Sequence, residues 1–90
     1  MQINMMLDLE TFSVESNKIT GPIPIGISSL RDLQVFTANN NHISGTIPSY
    51  FGGLNRLKVL QLSQNRLIGT VPTELGFLKD LQTLRLDGNQ

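Results

Sequence analysis

The chain contains no cysteine. That excludes disulfides, thiolate metal ligands and thiol nucleophiles, and it leaves the redox compartment unread. It has no tryptophan, one tyrosine and a single histidine, His42. A lone imidazole does not make a structural zinc site, and the Ser/His/Asp and Cys/His arrangements lack their parts. Charge is also scarce, at 16% of residues, with seven Lys and Arg against seven Asp and Glu. A formal net charge of zero gives no long-range attraction to nucleic acid or to an anionic membrane. No apolar run approaches the roughly 18 residues that span a bilayer. The opening MQINMMLDLE lacks a basic segment followed by an apolar one, so neither a signal peptide nor direct membrane contact is read here. No N-x-[ST] sequon occurs, so glycosylation is not expected. Gly52, Gly53 and Gly76 have no phosphate-loop pattern around them. No cofactor is expected.

What the chain does have is a repeat. NKITGPIP starts at Asn17, NHISGTIP at Asn41 and NRLIGTVP at Asn65, 24 residues apart, and Asn89 falls in the same register. Leu9, Leu33, Leu57 and Leu81 open the units; Phe12, Phe36, Leu60 and Leu84 follow three later; Val14, Ala38, Leu62 and Leu86 two after those. Ile23, Ile47 and Val71 precede Pro24, Pro48 and Pro72. A period of about 20–29 residues with an L-x-x-L-x-L-x-x-N core indicates a solenoid.

The stretch LKVLQLSQNRLIGTVPTELGFLKD, Leu57 to Asp80, resembles a leucine-rich repeat. The G-x-I/V-P element after each Asn resembles the plant-type subclass of receptor-like kinases and related extracellular proteins. The resemblance covers nearly the whole chain, with Ile3 and Met6 in the two closing apolar columns. It implies an α/β solenoid. Short parallel strands would line the concave face. Short second strands and 3₁₀ or irregular turns would form the convex side, with few or no regular helices. The array reads as a partial unit at 1–8, full units at 9–32, 33–56 and 57–80, and a partial unit at 81–90. It shows no terminal caps, so it is expected to be a segment of a longer array and marginal alone. The resemblance further implies an extracellular or cell-surface, non-enzymatic module for a protein or peptide ligand. A second implied reading is an enzyme inhibitor or cell-wall polysaccharide binder similar to polygalacturonase-inhibiting proteins; a third is a purely architectural spacer.

Each column has a physical reason. Alternation with period two turns Leu60 and Leu62 inward and Val59, Gln61 and Ser63 outward. The Asn after each strand can satisfy backbone groups that the turn leaves unpaired, where an unsatisfied buried group would cost about 1–3 kcal/mol. Asn17, Asn41, Asn65 and Asn89 are therefore expected to form a ladder. Gly21, Gly45 and Gly69 permit a bend, and the Ile/Val-Pro after them is expected to form the second strand. Phe12 and Phe36 stand where Leu is usual and Ala38 is small, so the first two units are expected to pack less regularly than the third.

The outward rows give the candidate binding surface: Thr11, Val35, Val59, Thr83; Ser13, Thr37, Gln61, Arg85; Glu15, Asn39, Ser63, Asp87; and Ser16, Asn40, Gln64, Gly88. Four strands at ~4.8 Å by about five residues at ~3.3 Å make a face of roughly 300 Å², below the ~800 Å² per partner of a standard interface. Glu15 and Asp87 share a row but lie three strands apart, roughly 14 Å, too far for the ~5–9.5 Å of a glycosidase pair. Lys18, His42 and Arg66, continued by Gln90, form a basic row that would sit side by side, either as a solvated edge that keeps polar groups outside or as a contact for an anion such as a polyuronide or acidic peptide.

Overall fold

The computed structural model describes residues 10–89. Ile3, Met6 and Leu9, and Gln90 at the end of the basic row, lie outside the described residues. Four three-residue strands, β1 (Thr11–Ser13), β3 (Val35–Thr37), β5 (Val59–Gln61) and β6 (Thr83–Arg85), form one parallel sheet in the order β1-β3-β5-β6. Thr11 pairs with Val35, Val35 with Val59 and Val59 with Thr83, so the sheet register equals the 24-residue sequence period. β-branched residues at these places suit a pleated surface. Between them run β2 (Thr20–Gly21) and β4 (His42–Ile43), and three 3₁₀ turns at Ile25–Ser29, Ser49–Gly53 and Thr73–Phe77. There is no α-helix among the described residues.

The inward columns form one core from Phe12 to Leu78. Phe12 and Phe36 stack with ring centroids 5.1 Å apart, and Phe36 meets Phe51 edge-on at 5.5 Å. Such ring pairs contribute about 0.5–1.5 kcal/mol beyond the area they bury. Phe36, Phe51 and Ala38 are all fully buried. The strand register does not change between the aromatic units and the leucine unit, so the expected irregularity is confined to side-chain identity.

The second strands form, but not where the sequence placed them. Pairing runs through Thr20–Gly21 and His42–Ile43 and continues as a single bridge between Thr46 and Ile68. The Ile-Pro steps do something else. Ile23 and Ile47 are buried, and Pro24, Pro48 and Pro72 hold φ at −71°, −70° and −64° as the residues from which the 3₁₀ turns start. Their carbonyls accept from the amides of Ile27, Phe51 and Leu75 at 3.2, 3.3 and 3.2 Å. A proline has no N–H to give a ladder, so the pairing falls upstream, where the donors are.

Gly52 explains how closely the convex turns stack. A Cβ there would lie 2.6 Å from the Glu74 carbonyl oxygen, on the next 3₁₀ turn. Gly52→Ala is therefore expected to cost about 1–3 kcal/mol, as overpacking against backbone does. Gly76→Ala, which meets nothing within 4 Å, is the near-neutral control. Urea unfolding midpoints of the two variants separate these outcomes.

Candidate functional site

The asparagines hold the edge of the concave face. Asn41 Nδ2 donates to the carbonyls of Val14, Ala38 and Asn39 at 2.9, 3.1 and 3.2 Å, and its Oδ1 accepts from the Ile19 amide at 3.2 Å. Asn65 repeats this one turn on, donating to Ala38, Leu62 and Ser63 and accepting from Ile43 at 3.1 Å. Asn89 donates to Leu62 and Leu86 and accepts from Leu67 at 3.0 Å. Each amide thus ties its own turn to the preceding one. Asn17 is exposed and donates to the Val14 and Glu15 carbonyls of its own turn.

The candidate surface is a connected polar network. The Thr37 hydroxyl donates to Ser13 Oγ at 2.8 Å. Asn39 Nδ2 donates to Glu15 Oε1 at 3.1 Å and to Gln61 Oε1 at 2.8 Å, while its Oδ1 accepts from the Ser63 amide at 2.7 Å. Ser63 Oγ donates to Asp87 Oδ1 at 2.7 Å, and Asp87 also faces Arg85 at 3.6 Å. The Ser63 hydroxyl first, then the Asp87 amide and the Arg85 guanidinium, hold the Asp87 carboxyl below its ordinary range. Hydrogen bonds therefore run from Glu15 on one edge to Asp87 on the other. A network of this kind fixes side-chain rotamers before any ligand arrives, which lowers the ordering cost of binding.

Three features of this face were not in the sequence reading. Ser16, Asn40 and Gln64 have φ of 57°, 60° and 59°, and Gly88 in the same column has 75°. That fourth row is a left-handed turn at the strand ends rather than an extension of the strand surface. A further row, Glu10, Gln34, Lys58 and Gln82, borders the sheet, with Gln34 Nε2 donating to Glu10 Oε1 at 3.1 Å. The 24-residue spacing of those positions was the available signal. The basic row is also staggered. His42 pairs with Thr20, and the Arg66 amide donates to the Ile43 carbonyl at 2.8 Å, so neighbouring units on that edge step by 22 residues. Lys18, His42 and Arg66 are thus offset by two residues per unit instead of standing side by side. Glu15 and Asp87 follow the two outer strands, β1 and β6, and are held by different partners, Asn39 and Ser63. Among the described residues no group of three or more His, Asp or Glu could hold a metal ion, and no helix is long and apolar enough to cross a membrane.

A leucine-rich repeat family model matches residues 31–90, and a second matches residues 8–30. The chain belongs to the leucine-rich repeat family. The leucine-rich-repeat ectodomain of the Arabidopsis receptor kinase HAESA, solved with an N-terminally extended IDA peptide hormone, is 34% identical with a TM-score of 0.94, covering 98% of this chain and 15% of that one. The Arabidopsis thaliana BIR3–SERK2 complex is 31% identical with a TM-score of 0.93, covering 98% and 47%. A plant ice-binding protein is 31% identical with a TM-score of 0.95, covering 98% and 29%. The chain thus spans less than half the length of each of these solid matches. The comparison with curated proteins finds no match. The repeats of this chain are similar in sequence and shape to those of plant receptor-kinase ectodomains, among them the HAESA ectodomain with its peptide hormone ligand.

Proposed function

We propose that the chain is a peptide- or protein-interaction segment of an extracellular receptor-kinase ectodomain, with the four-strand concave face as its ligand surface. The observation that carries this is the network joining Glu15, Asn39, Gln61, Ser63 and Asp87. It presents fixed amide, hydroxyl and carboxylate groups on Gln61 of β5 and on the residues two places beyond each strand end, tied to one another across turns, which suits hydrogen bonding to an extended backbone. Gln61 Nε2 and the Arg85 guanidinium supply the donors, and Ser13, Glu15 and Asp87 the acceptors, while the buried Thr37 hydroxyl orients Ser13. The face is small, so this segment contributes part of a site.

The test is peptide-library panning on the immobilised chain, with the wild type beside a Gln61→Ala/Arg85→Ala variant. Two lost hydrogen bonds at about 0.5–1.5 kcal/mol each predict a weakening of roughly tenfold for selected peptides. Equal capture by both proteins would contradict the assignment of the face.

A further inference from the structure

A second surface lies on the flank, away from the concave network. An open groove of about 590 Å³ runs between the G-x-I/V-P segments of neighbouring turns. Its walls are the Pro48 and Pro72 rings and the Tyr50 side chain, with the hydroxyls of Thr46, Ser49 and Thr70 among them. Thr46, Ser49 and Thr70 are exposed. Tyr50 donates its phenol to the Pro24 carbonyl at 2.7 Å. Burial pushes that phenol up to about 12, so it stays neutral and committed to the fold, leaving the ring as a platform.

The flank has an unusual charge distribution. Residues 19–30, 43–55 and 67–73 contain no charged side chain, although the chain carries 14 Asp, Glu, Lys and Arg elsewhere. The groove therefore offers no counter-charge to an ionic ligand and no field to steer one. It also lacks Trp and Arg, the usual anchors of protein interfaces. What it offers is flat apolar rings alternating with hydroxyls, in a volume within the ~300–1,000 Å³ range of small-molecule sites. A ligand that matches this has apolar ring faces, many hydroxyls and no charge.

We propose that this groove is a site for a neutral glycan, such as a β-linked glucan segment, whose pyranose faces lie on Pro48, Tyr50 and Pro72 while its hydroxyls meet Thr46, Ser49 and Thr70. This site is separate from the concave peptide face and does not depend on it. It also differs from an anion contact at Lys18, His42 and Arg66, because its chemistry selects against charge.

The test is a titration of the whole chain with cellotetraose, followed by amide chemical shifts. Shifts at Thr46, Ser49, Tyr50, Gly69 and Thr70, with a Kd on the order of 1 mM as an open groove allows, are the expected result. Thr70→Glu and Ser49→Glu place a charge at exposed positions without touching the core, and each should weaken binding about tenfold or more, a difference of ~1.4 kcal/mol. Tetragalacturonate, the anionic probe, should bind the groove more weakly than cellotetraose. The proposal is overturned if cellotetraose moves no groove resonance, if tetragalacturonate binds there equally well, or if a proline-rich peptide occupies the groove more tightly than the glucan.

Discussion

Replacing Asn65 with Ala should lower the unfolding free energy by about 2–4 kcal/mol, a large share of the stability of a small array. Asn65 is 8% exposed and its amide serves four backbone groups: the carbonyls of Ala38, Leu62 and Ser63, and the Ile43 amide. Of these four groups, Ala leaves the Ile43 amide without its partner and takes one bond from each carbonyl; Ala38, Leu62 and Ser63 keep Asn41 Nδ2, Asn89 Nδ2 and the Asn40 amide. Two of them, Ala38 and Ile43, belong to the preceding turn, so the loss uncouples neighbouring turns as well as loosening one. Asn65→Asp should be nearly as damaging, because a carboxylate keeps the acceptor for Ile43 but turns a second oxygen toward the three carbonyls. Asn17→Ala is the contrast. Its amide is exposed and, among the described residues, bonds within its own turn, so about 1 kcal/mol or less is expected. Urea unfolding followed by circular dichroism measures all three.

Phe36→Ala should cost about 3–5 kcal/mol. Phe36 is fully buried between the stacked ring of Phe12 and the edge of Phe51, and its removal opens a cavity at the centre of the aromatic run. Phe36→Leu is more informative. Leu60 and Leu62 occupy the next unit where Phe36 and Ala38 stand, so large-plus-small here replaces medium-plus-medium there. Phe36→Leu alone should lose about 1–2 kcal/mol to the space beside Ala38. Adding Ala38→Leu should return a good part of that, giving a favourable coupling in the double-mutant cycle of about 0.5–3 kcal/mol. Additive losses would show that Phe36 and Ala38 do not share one space.

Much of this arrangement can be read from column spacing, and the exceptions have physical causes. The sheet register equals the 24-residue period because identical inward Leu and Phe columns can only stack in step. The 3₁₀ turns follow Pro24, Pro48 and Pro72, whose fixed φ starts them. The second strand was misplaced because apolar residues next to a proline look extended, whereas a ladder needs the N–H that proline lacks. The stagger of Lys18, His42 and Arg66 is set by the convex pairing register, which no column in the sequence encodes. The concave network eluded the reading because Asn39 bonds diagonally to Gln61 as well as straight across to Glu15, and that choice depends on side-chain reach. Likewise Ser16, Asn40 and Gln64 give no glycine signal for a left-handed turn, although Gly88 in the same column does. Gly52 reads as an ordinary flexible residue until the Glu74 backbone is placed against it.

The most direct test of the concave-face assignment is to map a panning-selected peptide by amide chemical shifts on the whole chain. The account predicts shifts at Thr37, Asn39, Gln61 and Arg85, spread across β3, β5 and β6, with the 3₁₀ turns unmoved. Shifts confined to the 3₁₀ turns or to the flank groove, with the strand residues silent, would contradict it.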